Sequence, residues 1–249
     1  MAGQNRTSND NFPTTQQSAL FGLRSADSVE RNRSLGRLAR AYWKPIYKYV
    51  RLHWHKEPAE AEEITQAFFL RTIDKDTFAT YEPERARFRT FVRVCVDRFV
   101  LDIARRGAAK KREGEMRALQ FDFQAAEGEL SSEENLAGAA ALDPEKLFET
   151  EWVRHVFEMA IEALRASCIQ KGKEIHFRAF ELFHLDDAAR PPSYAAASAE
   201  LGMSVTDLTN RLSYARREFR ALVLDILREL TGSEQELRNE ARAVLGLEL

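Results

Sequence analysis

Cysteine is nearly missing from this chain: 249 residues hold two, Cys95 and Cys168, each in an apolar helical context. Their separation and setting argue against a disulfide framework or a paired-cysteine metal site, and buried free thiols are expected. No apolar run approaches the roughly 20 residues that a membrane-spanning helix needs. The stretch from Met1 to Ser18 is polar and Asn/Gln/Thr-rich, without a charged-then-apolar secretory pattern, so a cytoplasmic product with no membrane insertion is expected. Sustained period-two alternation is scarce, which argues against a sheet. There is no glycine-rich phosphate loop, no H-E-x-x-H and no paired C-x-x-C. His53 and His55 lean to opposite sides of one helix, and His176 with His184 is only a spaced pair. No enzyme active site, metal or cofactor is therefore expected.

What is present is a globular composition, 44% hydrophobic and 31% charged, large enough for one medium or two small helical domains. The net charge of −2 conceals a segregation. Arg85 to Arg117 carries eleven Lys/Arg against four Asp/Glu, and Asp122 to Glu151 carries nine acids against Lys146 alone. A basic block of this kind is either a solvated helix face or a surface for a polyanion.

Glycine and proline divide the sequence into helix-length pieces, and the expected fold class is all-α. Leu35, Leu38, Tyr42, Ile46 and Tyr49 mark a helix over Val29 to Leu52, with Pro45 expected to kink it or start another. A second follows over Ala59 to Ile73, and a third over Arg85 to Arg106 with Phe88, Val92, Cys95, Phe99 and Ile103 on one stripe. The expected domains are a disordered tail over 1–28, a helical bundle over 29–106, an acidic flexible linker over 107–142, a second helical domain over 143–230 and a helical extension over 231–249. Asp143-Pro144 should open the second domain as N-cap and first-turn proline. In the extension, Ser233 to Glu236 fits a capping box before Leu237, Ala241, Val244 and Leu245. That extension either packs on its neighbour or serves as a regulatory segment.

The most informative local pattern is S-Y-A-A-A-S-A-E-L-G-M-S-V-T-D-L-T-N-R-L-S-Y-A-R-R-E-F-R, from Ser193 to Arg220. It reads as a short helix, a turn at Gly202, and a second helix opened by a Ser204-to-Asp207 capping box. Val205, Leu208, Leu212, Ala215, Phe219 and Leu222 form the inner stripe. Thr206, Thr209, Asn210, Arg211, Ser213, Tyr214, Arg216 and Arg217 are left outward, a donor and acceptor set suited to base edges and phosphates in a major groove. In the first bundle, E-A-E-E-I-T-Q-A-F-F-L (60–70) offers an acidic outer face. F-R-T-F-V-R (88–93) interleaves cations and rings in the manner of a single-strand surface, although core packing accounts for Phe88 equally well.

In order and spacing these pieces resemble the extracytoplasmic-function sigma factors of bacterial RNA polymerase, over about Leu35 to Arg106 and Glu145 to Leu224. E-A-E-E-I-T-Q-A-F-F is similar to the family's D-A-E-D-L-V-Q-E-V-F helix, which docks on the clamp helices of the polymerase's largest subunit. The resemblance implies Glu62, Glu63, Gln66 and Phe69 as contacts with core RNA polymerase. F-R-T-F-V-R-V-C-V-D-R-F-V-L-D-I-A-R-R is similar to the segment that opens and reads the minus-ten element, implying Arg89, Phe91, Arg93, Arg98, Arg105 and Arg106 as its melted-strand surface. The helix-turn-helix would read the minus-thirty-five element as duplex. Phe91 stands where the family usually has tryptophan, and Arg98 where asparagine is common, so the captured base is left open. The resemblance implies a non-enzymatic initiation factor with promoter DNA as partner; an anti-sigma protein, a kinase acting on a residue such as Thr65, or the C-terminal extension are candidate controllers. The alternative is a stand-alone helix-turn-helix regulator whose first domain senses a ligand or partner.

Overall fold

A computed structural model describes residues 18–106, 121–130, 143–186 and 191–247, and all regular structure among them is helical. The helices are α1 (Ala19–Gly22), α2 (Ser28–Leu52), α3 (Pro58–Asp74), α4 (Phe88–Arg106), α5 (Phe123–Leu130), α6 (Pro144–Gln170), α7 (Glu174–His184), α8 (Tyr194–Glu200), α9 (Val205–Leu230) and α10 (Glu234–Leu245), with a 3₁₀ turn at Thr77–Thr80. Short polar side chains start several of them by satisfying orphan amides. Asp143 accepts from the Lys146 amide at 2.9 Å, and Ser233 from that of Glu236 at 3.1 Å. Pro45 neither ends α2 nor begins a new helix; α2 runs through it from Ser28 to Leu52.

The core is continuous across the expected domain boundary. Tyr42 of α2 lies edge-on to Phe88 of α4 at 5.5 Å and stacks on Trp152 of α6 at 6.2 Å. Tyr49 meets Phe148 of α6 at 5.5 Å. Val223, Leu227 and Leu230 from the end of α9, and Leu237 and Ala241 of α10, belong to the same buried cluster as Leu38, Val92 and Phe68. The two expected bundles are thus fused through α6, which is apolar on two sides because it serves both.

Charge reinforces the join. Lys48 of α2 is 2% exposed and pairs with Glu129 of α5 at 2.7 Å and Glu151 of α6 at 3.0 Å. Lys44 pairs with Glu129 and, at 2.7 Å, with Glu158. Burial pushes the Glu158 carboxyl up, but hydrogen bonds from His155 and Lys44 outweigh it and hold the group down at about 2. Glu127 of α5 grips Arg51 through both oxygens, at 2.6 and 2.9 Å, and accepts from the Tyr47 hydroxyl at 2.7 Å. Residues 123–130, expected within a flexible linker, are therefore a packed helix: its acids find basic partners on α2, and Phe123 lies edge-on to Trp43. Glu133 and Glu134 lie outside the described residues, as do residues 1–17 of the tail expected to be disordered over 1–28; its remainder is ordered, with α1 over Ala19–Gly22 and Ala19, Leu20 and Leu23 buried in the main core.

The N-terminal half of α9 has its own smaller apolar clusters. Ala215 packs with Leu164, Cys168, Phe177 and Phe180, and Leu208 with Ala179 and Ala197. At 1.5 Å per residue α9 is about 39 Å long. It roots in the main core at one end and carries the helix-turn-helix at the other.

Candidate nucleic-acid interface

The α8–turn–α9 unit is built from caps, one glycine and an alanine-rich contact. Ser193 caps α8 by accepting from the Ala196 amide at 3.1 Å. Ala197 is fully buried, and its small side chain lets α8 approach Leu208 of α9 closely. Gly202 turns the chain at φ +63°, in the left-handed region where a side chain is strained. Ser204 then caps α9, accepting from the Asp207 amide at 3.1 Å. The expected reciprocal half of the box takes another form: the Ser204 hydroxyl donates to Asp207 Oδ2 at 2.7 Å, so that carboxylate orients the capping serine.

On α9, Leu208, Leu212 and Ala215 are buried, while Thr206, Thr209, Asn210, Ser213 and Arg217 are exposed and Arg211, Tyr214 and Arg216 partly covered. Thr206, Thr209, Asn210, Ser213 and Arg217 thus share the side opposite the packed stripe, while Arg211 and Arg216 flank that stripe and Tyr214 is covered in part by Lys173. Thr209 spends its hydroxyl proton on the Val205 carbonyl at 2.8 Å, which leaves its methyl and oxygen outward. Arg216 Nε donates to His184 Nε2 at 3.0 Å, and burial together with that arginine holds the His184 pKa down. Val205, expected on the inner stripe, is instead 45% exposed and takes no part in the apolar cluster that joins Leu208 to Ala197. Tyr194, at the start of α8, is likewise an exposed large hydrophobic, at 41%.

Sequence reasoning missed Lys173, in the turn between α6 and α7. Its ammonium lies 3.9 Å from the Tyr214 ring centroid, and the Arg217 guanidinium lies 5.5 Å from the same ring. The cue was the K-G-K turn at 171–173, where Gly172 takes φ +62° and aims the strand of cations back over α9.

The α4 surface differs more from expectation. Arg89 is 5% exposed, donating to Glu240 Oε2 and to Glu149 Oε1 at 2.6 Å each, with its guanidinium 5.1 Å from the Trp152 ring. It is not on the surface, because α10 and α6 cover it. Phe91 is half-buried, against Tyr81 at 5.4 Å and Phe88 at 6.0 Å. Arg93 bridges Asp97 at 2.7 Å and Glu145 at 3.4 Å. Arg98 and Arg105 are exposed, while the Arg106 side chain lies outside the described residues. A cleft of about 220 Å³ lies between α4 and the start of α6, lined by Arg87, Arg89, Thr90, Arg93, Glu145 and Glu149 among others.

On α3, Glu63 is exposed and Glu62 half-buried, with Gln66 donating to Glu62 at 3.2 Å. Phe69 is not an outward contact. It is 3% exposed, between Phe68 and Phe121 with ring centroids 5.6 Å away in each case, because Phe121 returns from beyond α4 to cover this side of α3. Thr65 is fully buried and donates to the Ala61 carbonyl at 2.8 Å, so a kinase has no access to it in this fold. Cys95 and Cys168 are free thiols, and burial pushes Cys95 up to about 11. Among the described residues no group of His, Cys, Asp and Glu is arranged to hold a metal, and no helix is long and apolar enough to cross a membrane.

No protein-family model matches this sequence, and comparison with curated proteins and with solved structures returns no match.

Proposed function

We propose that the chain is a sigma-type initiation factor that binds core RNA polymerase, uses its helix-turn-helix to read duplex promoter DNA, and uses α4 to hold the opened strand. The observation that carries this reading is the α9 face: Thr206, Thr209, Asn210, Ser213 and Arg217 stand exposed on a helix capped, turned and packed as a DNA-reading helix requires. The order of motifs along the sequence supplies the rest. Glu62 and Glu63 on α3 would engage the polymerase clamp, and Arg98 and Arg105 would meet phosphates near the melted bases. The chain would perform no chemistry itself; phosphodiester synthesis would be the polymerase's, in the cytoplasm.

The test is retention on immobilised core polymerase. The wild-type chain should be held, and Glu62→Ala with Glu63→Ala should lose retention while keeping its helical circular dichroism. Full retention by that variant would remove the clamp contact. The covered Arg89 favours one second reading, a stand-alone regulator that binds duplex through α9 alone. Tight binding of an operator without polymerase, as a dimer on two half-sites, would establish it.

A further inference from the structure

The side of α4 that carries Arg89, Thr90 and Arg93 is occupied by the chain's own carboxylates. Glu240 and Glu149 take the Arg89 guanidinium at 2.6 Å each. Glu145 accepts from Thr90 Oγ1 at 2.9 Å and faces Arg93 at 3.4 Å. One helix turn away, Glu236 Oε1 accepts from the Phe88 amide and from the Tyr81 hydroxyl, both at 2.8 Å, and so caps the start of α4 from the far end of the chain. A nucleic-acid backbone offers arginines and a threonine the same thing these glutamates offer, anionic oxygens that accept charge-assisted hydrogen bonds.

We propose that α10, with the first turns of α6, is an acidic cover that competes with single-stranded nucleic acid for the Arg89–Thr90–Arg93 face, so that the chain alone is held in a closed form. The proposal rests on reading α4 as a nucleic-acid surface. Two features distinguish a cover from ordinary packing. Glu149 and Glu145 are partly exposed and border an open cleft, so their places are accessible to a competing anion. And α10 seats on the body through only two buried apolar side chains, Leu237 and Ala241, with Val244 and Leu245 partly buried beside them, while its other buried groups are the glutamates themselves.

The test compares full-length wild type with Glu240→Gln plus Glu149→Gln, using a labelled oligo-dT strand read by anisotropy at fixed salt. The double variant is expected to bind at least tenfold more tightly, with a steeper salt dependence, and adding Arg89→Gln should return it to the wild-type level. Ala241→Asp provides a second route, since it unseats α10 without removing a carboxylate facing Arg89; hydrogen exchange at α10 and at the start of α4 reports the release. Affinity unchanged in either variant, with exchange proving that α10 has come away, would overturn the cover. The sigma reading is separated by polymerase-dependent transcription. Specific starts with unaltered oligo-dT affinity would retire the cover alone, whereas tighter oligo-dT binding without polymerase-dependent starts would keep the cover and retire the sigma reading.

Discussion

Lys48 of α2 and Glu151 of α6 meet at 3.0 Å with side chains 2% and 6% exposed, a buried ion pair between segments that the sequence assigns to different domains. The contact is electrostatic more than a directed hydrogen bond: Glu151 Oε1 accepts from Arg154, and Oε2 faces Lys48 without hydrogen-bond alignment. Among the described residues, removing one partner leaves the other with a single remaining ion-pair partner, Glu129 for Lys48 and Arg154 for Glu151, each at 2.7 Å. Lys48→Met or Glu151→Gln alone should therefore lower unfolding stability, but by less than the roughly 3–5 kcal/mol that a wholly unpaired buried charge costs. Lys48→Met with Glu151→Leu should recover most of that loss. Urea denaturation of the three variants checks it, and additive losses would show that the pair is not coupled.

Stability should fall in acid for an identifiable reason. The Glu158 carboxyl lies near 2 in the fold, against a usual 4.5. Glu127 is lowered too, chiefly by its hydrogen bonds with Arg51 against an opposing effect of burial. A depressed carboxyl stabilises the fold above its unfolded pKa, and that contribution is lost as pH falls toward the folded value. The Tm should hold from pH 7 to about pH 5 and drop steadily below about 4.5. Glu158→Gln should start lower at pH 7 and lose less between pH 5 and pH 3. An equal acid loss in the variant would exclude Glu158 as a contributor.

The turn of the helix-turn-helix makes a sharper prediction about cause. A Cβ on Gly202 would meet no atom within 4 Å, so space is not what requires glycine there; φ +63° is. Gly202→Ala should cost about 1 kcal/mol, all of it backbone strain. Ser204→Ala should cost a similar amount, about 1 kcal/mol, by stripping the α9 cap. Calorimetry of both single variants measures these costs, and a much larger loss for Gly202→Ala would mean that the turn packs more tightly than its open surroundings indicate.

Helical periodicity and capping residues made the secondary structure legible. Ser204, Asp143 and Ser233 each stand at the helix start they were expected to mark, because a cap is a local interaction within a few residues. The α9 outer face was readable for the same reason. Long-range pairing was not. Phe69 lies on a side of α3 that looks free until Phe121 covers it, and Arg89 looks like a surface cation until Glu240, 151 residues later, closes over it. A local net charge records which residues are basic, but not whether their partners lie elsewhere in the chain. The acidic block read as a linker is in part that set of partners.

If α9 reads duplex, its residues should divide by role. Asn210→Ala should relax discrimination at one base pair at a cost of about 1–3 kcal/mol. Arg217→Ala and Lys173→Ala should weaken binding to all sequences alike and lower the salt slope by about one each. Binding isotherms across a panel of single-base variants at two or more salt concentrations separate the two behaviours. Loss of discrimination in all three variants would place the recognition surface elsewhere.

The central claim, that the chain directs a polymerase, is met most directly by reconstituted transcription: purified chain, bacterial core RNA polymerase and genomic fragments, with start sites mapped. Discrete starts that appear only when the chain is added, and disappear with Glu62→Ala plus Glu63→Ala, are the predicted result. Transcription indifferent to the chain, from a protein that nevertheless protects a palindromic duplex unaided, would contradict it.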